Sequence, residues 1–208
     1  MINVSIAGIG GQGSVLAARI LAQAAEAKGW QVRSAETIGM AQRGGDVMSH
    51  VRMGNAGEEV FSPLPAKRTV DVLIALEPGE AARALPYLKE NGLLVVASTG
   101  IPPVMANFKR QTYNPQHLID DMQAAGVKMV VVDDAELVHR LGEPKALNVM
   151  MLAYAIIAVN KREDCVDNAL RGAITLEDIE AAIPLCVKRK LVSVNEKAIK
   201  VVQQAARV

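Results

Sequence analysis

The chain has 208 residues, half of them apolar, 22% charged and only 3% aromatic, with a formal net charge of +1. This is globular composition, neither disordered nor polybasic. It disfavours nucleic acid as a main partner, because phosphate binding wants a clustered positive surface and base stacking wants aromatic rings.

Short β-branched runs alternate with helical patterns along the first two thirds of the chain. Met1–Ala7 reads as a strand, Ser14–Lys28 as a helix and Gln31–Ile38 as a second strand. Asp46–Arg52 alternates Val47, Ser49 and Val51 with other residues and reads as a third strand. Glu58–Phe61 is expected to pair with it across the turn 54–57. Asp71–Leu76 and Leu93–Ala97 are continuous apolar runs, the signature of parallel strands buried on both faces. Between them Pro78–Glu90 has a helical pattern with proline near its start. Pro115–Ala125 reads as a helix and Val127–Val132 as the last strand.

Beyond Ala135 the pattern is helical, at Asn148–Asn160, Thr175–Val187 and Val194–Arg207. Thr175 and Asp178 have capping-box spacing before Ile179 and Ile183. Lys188-Arg189-Lys190 reads as a solvated helix end. The expected fold is α/β and Rossmann-like, a mostly parallel sheet with flanking helices and a helical C-terminal section. No basic segment precedes an apolar stretch at the start, and Ala146–Val159 is too short to span a bilayer, so a soluble, cytoplasmic chain without a membrane partner is expected. Cys165 and Cys186 are isolated, which fits reduced thiols and gives no iron–sulfur ligand set.

Gly8-Ile9-Gly10-Gly11-Gln12-Gly13 has the G-x-G-x-x-G spacing between a strand and a helix. Such glycines permit a tight turn and let an anion approach backbone N–H groups at a helix N-terminus. Ser14 is a candidate cap, and Glu36 a candidate ribose acceptor. Two readings stay open on these residues alone: a dinucleotide site, or a strand–helix turn with a structural purpose. The second informative loop is Gly39-Met40-Ala41-Gln42-Arg43-Gly44-Gly45-Asp46. Following the second strand, it is expected at the carboxyl edge of the sheet, beside the first loop.

Together these motifs resemble a known family. G-I-G-G-Q-G, followed by Glu36-Thr37-Ile38-Gly39-Met40-Ala41-Gln42-Arg43-Gly44-Gly45-Asp46-Val47-Met48-Ser49-His50-Val51-Arg52, looks like the gamma-type subunit of 2-oxoacid:ferredoxin oxidoreductases. The likeness is greatest to the beta subunit of the indolepyruvate branch. Ser62-Pro63, the block Asp71–Glu77, Glu80–Arg83, Asn148 and Val194–Ala198 extend it over nearly the whole chain. The resemblance implies a single gamma-type domain over 1–208, with a sheet core over about 1–134 and a helical section over about 135–208.

It also implies a subunit without catalytic residues or metal of its own, in an enzyme that turns a 2-oxoacid and CoA into acyl-CoA, CO2 and reduced ferredoxin. Thiamine diphosphate, Mg2+ and the iron–sulfur clusters are then expected in a larger partner subunit, with ferredoxin engaged through the complex. Neither a Gly-Asp-Gly nor an Asn-Asn pair occurs here, in keeping with that division. Gly10, Gly11, Gln12, Gly13, Gln42, Arg43, Gly44 and Gly45 are the candidate site residues, as CoA-side or subunit-interface loops. The isolated chain is expected to self-pair through an aliphatic surface including Met40, Met48 and Met53. Ile38 stands where the indolepyruvate branch often has a polar residue, which leaves the 2-oxoacid open. The alternative is a stand-alone NAD(P)-binding Rossmann oxidoreductase.

The remaining polar residues are candidates of a lesser kind. His50, His117 and His139 are too scattered for a metal site, and His50 reads as a packed residue on its strand. Asp133-Asp134 suits helix capping, with a metal or ribose role as the alternative, and Glu77 is either a site carboxylate or a stabiliser of the next helix's N-terminus.

Overall fold

A computed structural model describes residues 1–39, 45–102, 113–162 and 170–206. Its elements are β1 (Ile2–Ile9), α1 (Ser14–Ala27), β2 (Gln31–Ile38), β3 (Asp46–Gly54), β4 (Val70–Ala75), α2 (Pro78–Ala84), β5 (Leu88–Ala97), α3 (Pro115–Ala124), β6 (Met129–Val132), α4 (Asp134–Leu141), α5 (Leu147–Lys161), α6 (Leu176–Cys186) and α7 (Arg189–Ala205). The six strands form one sheet in the order β2-β3-β1-β4-β5-β6. β1, β4, β5 and β6 are parallel, whereas β3 runs antiparallel to both β1 and β2. The mixed but mostly parallel α/β fold expected from the sequence is the one observed.

The unbroken apolar runs have the meaning that their pattern suggests. Along β4 and β5, Val72, Ile74, Leu93 and Val95 face the larger core, and Leu73, Ala75, Leu94 and Val96 face the smaller one. α1, α5, α6 and α7 supply the larger core, α2 and α3 the smaller. α6 opens with the capping box, Thr175 accepting from the Asp178 N–H and Asp178 accepting from the Thr175 N–H. Lys188-Arg189-Lys190 is exposed at the start of α7.

Three expectations need correction. Glu58–Phe61 is not a strand, because β3 already has β1 on one side and β2 on the other and no edge is left for it. The helix at 78–90 stops at Ala84. Pro86 lacks an N–H and disfavours helical backbone before it, so a 3-10 turn at Leu85–Tyr87 leads into a strand that starts at Leu88. The last helix begins at Arg189, five residues before its expected start at Val194.

Candidate functional site

The GIGGQG loop joins β1 to α1 at the carboxyl edge of the sheet. Gly11 (φ 103°) and Gly13 (φ 84°) take left-handed backbone that other residues adopt only with strain. Gly13 is the N-cap of α1 and offers no side chain; Ser14 is buried and does not cap. The first turn of α1 contains no acidic residue either, so its N–H groups have no charged partner from within the turn.

Gln12 closes this loop from within. The Ile9 N–H donates to Gln12 Oε1 (2.7 Å), and Gln12 Nε2 donates to the Leu76 carbonyl (3.0 Å). One amide thus bridges the carboxyl ends of β1 and β4. α1 leaves β1 toward the larger core and α2 leaves β4 toward the smaller one. The gap between these strand ends is therefore the switch point at which open α/β sheets hold their ligands. Here the chain's own side chain crosses it. A Cβ at Gly8 would come to 3.0 Å from Gln12 Oε1 and 3.1 Å from Leu76 Cδ1, so the first glycine makes room for this bridge.

The second loop meets the first. The Gly10 N–H donates to the Gly45 carbonyl (2.9 Å), and the Gly39 N–H donates to the Asp46 carbonyl (2.8 Å). The structure therefore brings Gly10, Gly11, Gln12, Gly13 and Gly45 together on one rim. Met40, Gln42, Arg43 and Gly44 lie outside the described residues.

Glu36 does not reach this rim's core. It is exposed on β2, and β3 separates that strand from β1. A dinucleotide fold places a parallel strand beside β1 and uses the acid at its end. In this chain the neighbour is antiparallel β3, so the ribose-acceptor role is lost to topology.

Asn148 at the start of α5 was visible only as one residue of the resemblance. It is 1% exposed; its Nδ2 donates to the Gly13 carbonyl (3.0 Å), and its Oδ1 has no partner. A buried amide acceptor left open beside an uncapped helix start is a place for a ligand's donor or a water. No periodicity could signal it, since its partner lies 135 positions away.

Glu77 caps α2, accepting from the Glu80 N–H (3.0 Å) and the Ile101 N–H (3.2 Å). The Tyr113 hydroxyl also donates to it and in turn accepts from the Gly79 N–H. Burial, then Glu77, pushes the Tyr113 hydroxyl above its ordinary range. Burial also raises the Glu80 carboxyl, opposed by Arg83 and assisted by Asp46 and Glu77.

Asp133 caps α4 through the Glu136 N–H, and Asp134 accepts from Ser98 Oγ and the Thr99 N–H. His50 is buried, with Nδ1 against Ser5 Oγ (2.8 Å) and Nε2 against Thr37 Oγ1 (3.4 Å), and burial lowers its pKa. It is a packed residue. His117 and His139 are exposed on separate helices. Met53 is buried and so falls outside the methionine surface expected for self-pairing, while Met48 is half-buried against the smaller core. Among the described residues no three His, Cys, Asp or Glu side chains converge as a metal ion would need, and no helix is long and apolar enough to cross a membrane.

Residues 3–208 match the family described as pyruvate ferredoxin/flavodoxin oxidoreductase. The chain is 32% identical over 200 residues to indolepyruvate oxidoreductase subunit IorB of Archaeoglobus fulgidus, covering 96% of this chain and 92% of that one. It is 30% identical over 210 residues to the subunit of the same name in Thermococcus kodakarensis, covering 99% and 96%. Among solved structures, the keto/oxoacid ferredoxin oxidoreductase gamma subunit from Geobacter sulfurreducens shares the fold end to end, with a TM-score of 0.68 at 22% identity and 100% of each chain covered.

Proposed function

The chain belongs to the pyruvate ferredoxin/flavodoxin oxidoreductase family, and on that premise we propose that it is the small, gamma-type subunit of an indolepyruvate-type 2-oxoacid:ferredoxin oxidoreductase. The observation that carries this is the end-to-end match to the Archaeoglobus subunit. In the complex a larger subunit carries thiamine diphosphate, Mg2+ and the iron–sulfur clusters, converts 2-oxoacid and CoA to acyl-CoA and CO2, and passes electrons to ferredoxin. This chain supplies no catalytic residue. It acts in the cytoplasm as one domain over residues 1–208, supported by a core that sheet and C-terminal helices share.

The rim formed by Gly10, Gly11, Gln12, Gly13 and Gly45 faces the partner subunit or the CoA that enters beside it, and Gln42, Arg43 and Gly44 of the second loop are assigned the same role from the sequence. Two features favour this over binding a nicotinamide cofactor: Gln12 fills the switch-point gap, and Glu36 is displaced by a strand.

The test is reconstitution with the larger chain, following indolepyruvate- and CoA-dependent ferredoxin reduction. Activity that needs both chains is expected; full activity of the larger chain alone, or failure to associate, contradicts the proposal. In the same assay Arg43→Ala is expected to raise KM for CoA more than it lowers kcat. An unchanged KM removes the rim from the CoA side.

A further inference from the structure

β2 is the outermost strand of the sheet, eight residues long and paired only with β3. None of its residues is buried, and it carries neither a proline nor a register shift. Natural proteins blunt such edges or use them. β3 and α1 pack against β2, and the Val60 N–H donates to the Gln31 side chain at its start.

We propose that two copies of this chain join through β2, antiparallel about a two-fold axis at Ala35, so that both sheets become one. α1 packs across β2, β3 and β1, so its axis lies over β3, about one strand spacing inside the edge. With strands roughly 4.8 Å apart, the operation that pairs β2 with its copy sets the two α1 axes about 14 Å apart. That is wider than directly packed helices, roughly 8–10 Å, and leaves a cleft between them that long side chains can span. One symmetry operation pairs the strand edges and turns the two helix flanks toward each other, as an isologous interface requires.

The side chains on that flank are self-complementary. Arg19 and Glu26 are both exposed on α1, and both border the groove between α1 and β2 together with Val15, Gln23, Ser34 and Glu36. Among the described residues neither has an ion-pair partner. The two-fold reverses α1 against its copy and brings Arg19 of one chain alongside Glu26 of the other.

Residue pairing selects the register. An axis at Ala35 sets Val32 opposite Ile38, which is 68% exposed in the single chain, and sets the small Ala35 opposite itself. Both members of each pair point to the same face, as antiparallel pairing demands. Moving the axis to Ser34 puts Val32 against Glu36, and moving it to Glu36 puts two carboxylates face to face; both lose cross-strand stabilisation. The interface is built from β2 and α1 and does not depend on the subunit assignment, so this proposal stands without it.

The full chain tests it directly. With Cys165 and Cys186 changed to Ser, Ala35→Cys is expected to form a disulfide-linked dimer under mild oxidation, because opposed Cα atoms in such pairs lie about 4.5–5.5 Å apart, within disulfide reach. Arg33→Cys, whose copies sit several residues apart in this register, is expected to cross-link far more slowly; equal rates overturn the proposal. In sedimentation the unmodified chain is expected to dimerise, Arg19→Glu to weaken the dimer by about tenfold or more, and Arg19→Glu with Glu26→Arg to restore it. A monomer at about 100 µM, or a charge swap that restores nothing in a chain with unchanged circular dichroism, also overturns it.

Discussion

The two sides of this sheet are built on different terms. Val72–Ala75 of β4 and Leu93–Ala97 of β5 are unbroken apolar runs, buried on both faces between two helical layers. The β2–β3 hairpin has α1 on one face, and its outer strand is exposed along its whole length. The hairpin side changes the use of the glycine loop, because antiparallel β3 occupies the place beside β1 where a dinucleotide fold puts a parallel strand ending in an acid. The loop keeps its glycine geometry and gives up its cofactor neighbour.

The largest expected effect lies on the parallel side. Leu73→Ala, at a fully buried position of β4, should cost about 2–5 kcal/mol in denaturant unfolding. A loss no larger than that of an exposed substitution breaks the contrast between the two sides. Gln12 sits where they meet. Gln12→Ala removes both of its hydrogen bonds and leaves the Leu76 carbonyl and Ile9 N–H unpaired, so a loss of about 1–3 kcal/mol is expected in the same measurement.

His50 sharpens the contrast through pH. Its pKa is lowered from 6.5 by burial, so the unfolded chain takes up the proton first as pH falls. Stability is therefore expected to drop below about pH 6.5 by up to about 1.4 kcal/mol per pH unit, until the folded form also protonates. His50→Gln should flatten this dependence, read by unfolding free energies between pH 7 and 5; a slope that survives the substitution assigns it to other groups. The smallest effect belongs to the open edge. Ile38→Ala should change the stability of the monomer by less than about 0.5 kcal/mol, since Ile38 is largely exposed.

How much of this is legible in the sequence depends on the range of the interaction. The runs at 71–76 and 93–97 announce parallel strands because burial on both faces removes polar residues, and the Thr175–Asp178 box acts over three positions. Pro86 ends the helix begun at Pro78, a signal local enough to be read from the sequence. The strand expected at 58–61 failed for a non-local reason: both edges of β3 were already taken. The glycine loop was legible as a turn and illegible as a site. Gln12 finds its second partner 64 positions away and Asn148 finds Gly13 across 135, and no spacing rule reaches that far.

The central claim is that this loop is a rim closed by its own chain and not a nucleotide cradle. Calorimetric titration of the isolated chain with NADH and NADPH tests it most directly. No saturable binding up to about millimolar cofactor is the predicted result. Micromolar binding that Gly13→Ala abolishes in a folded chain would contradict it.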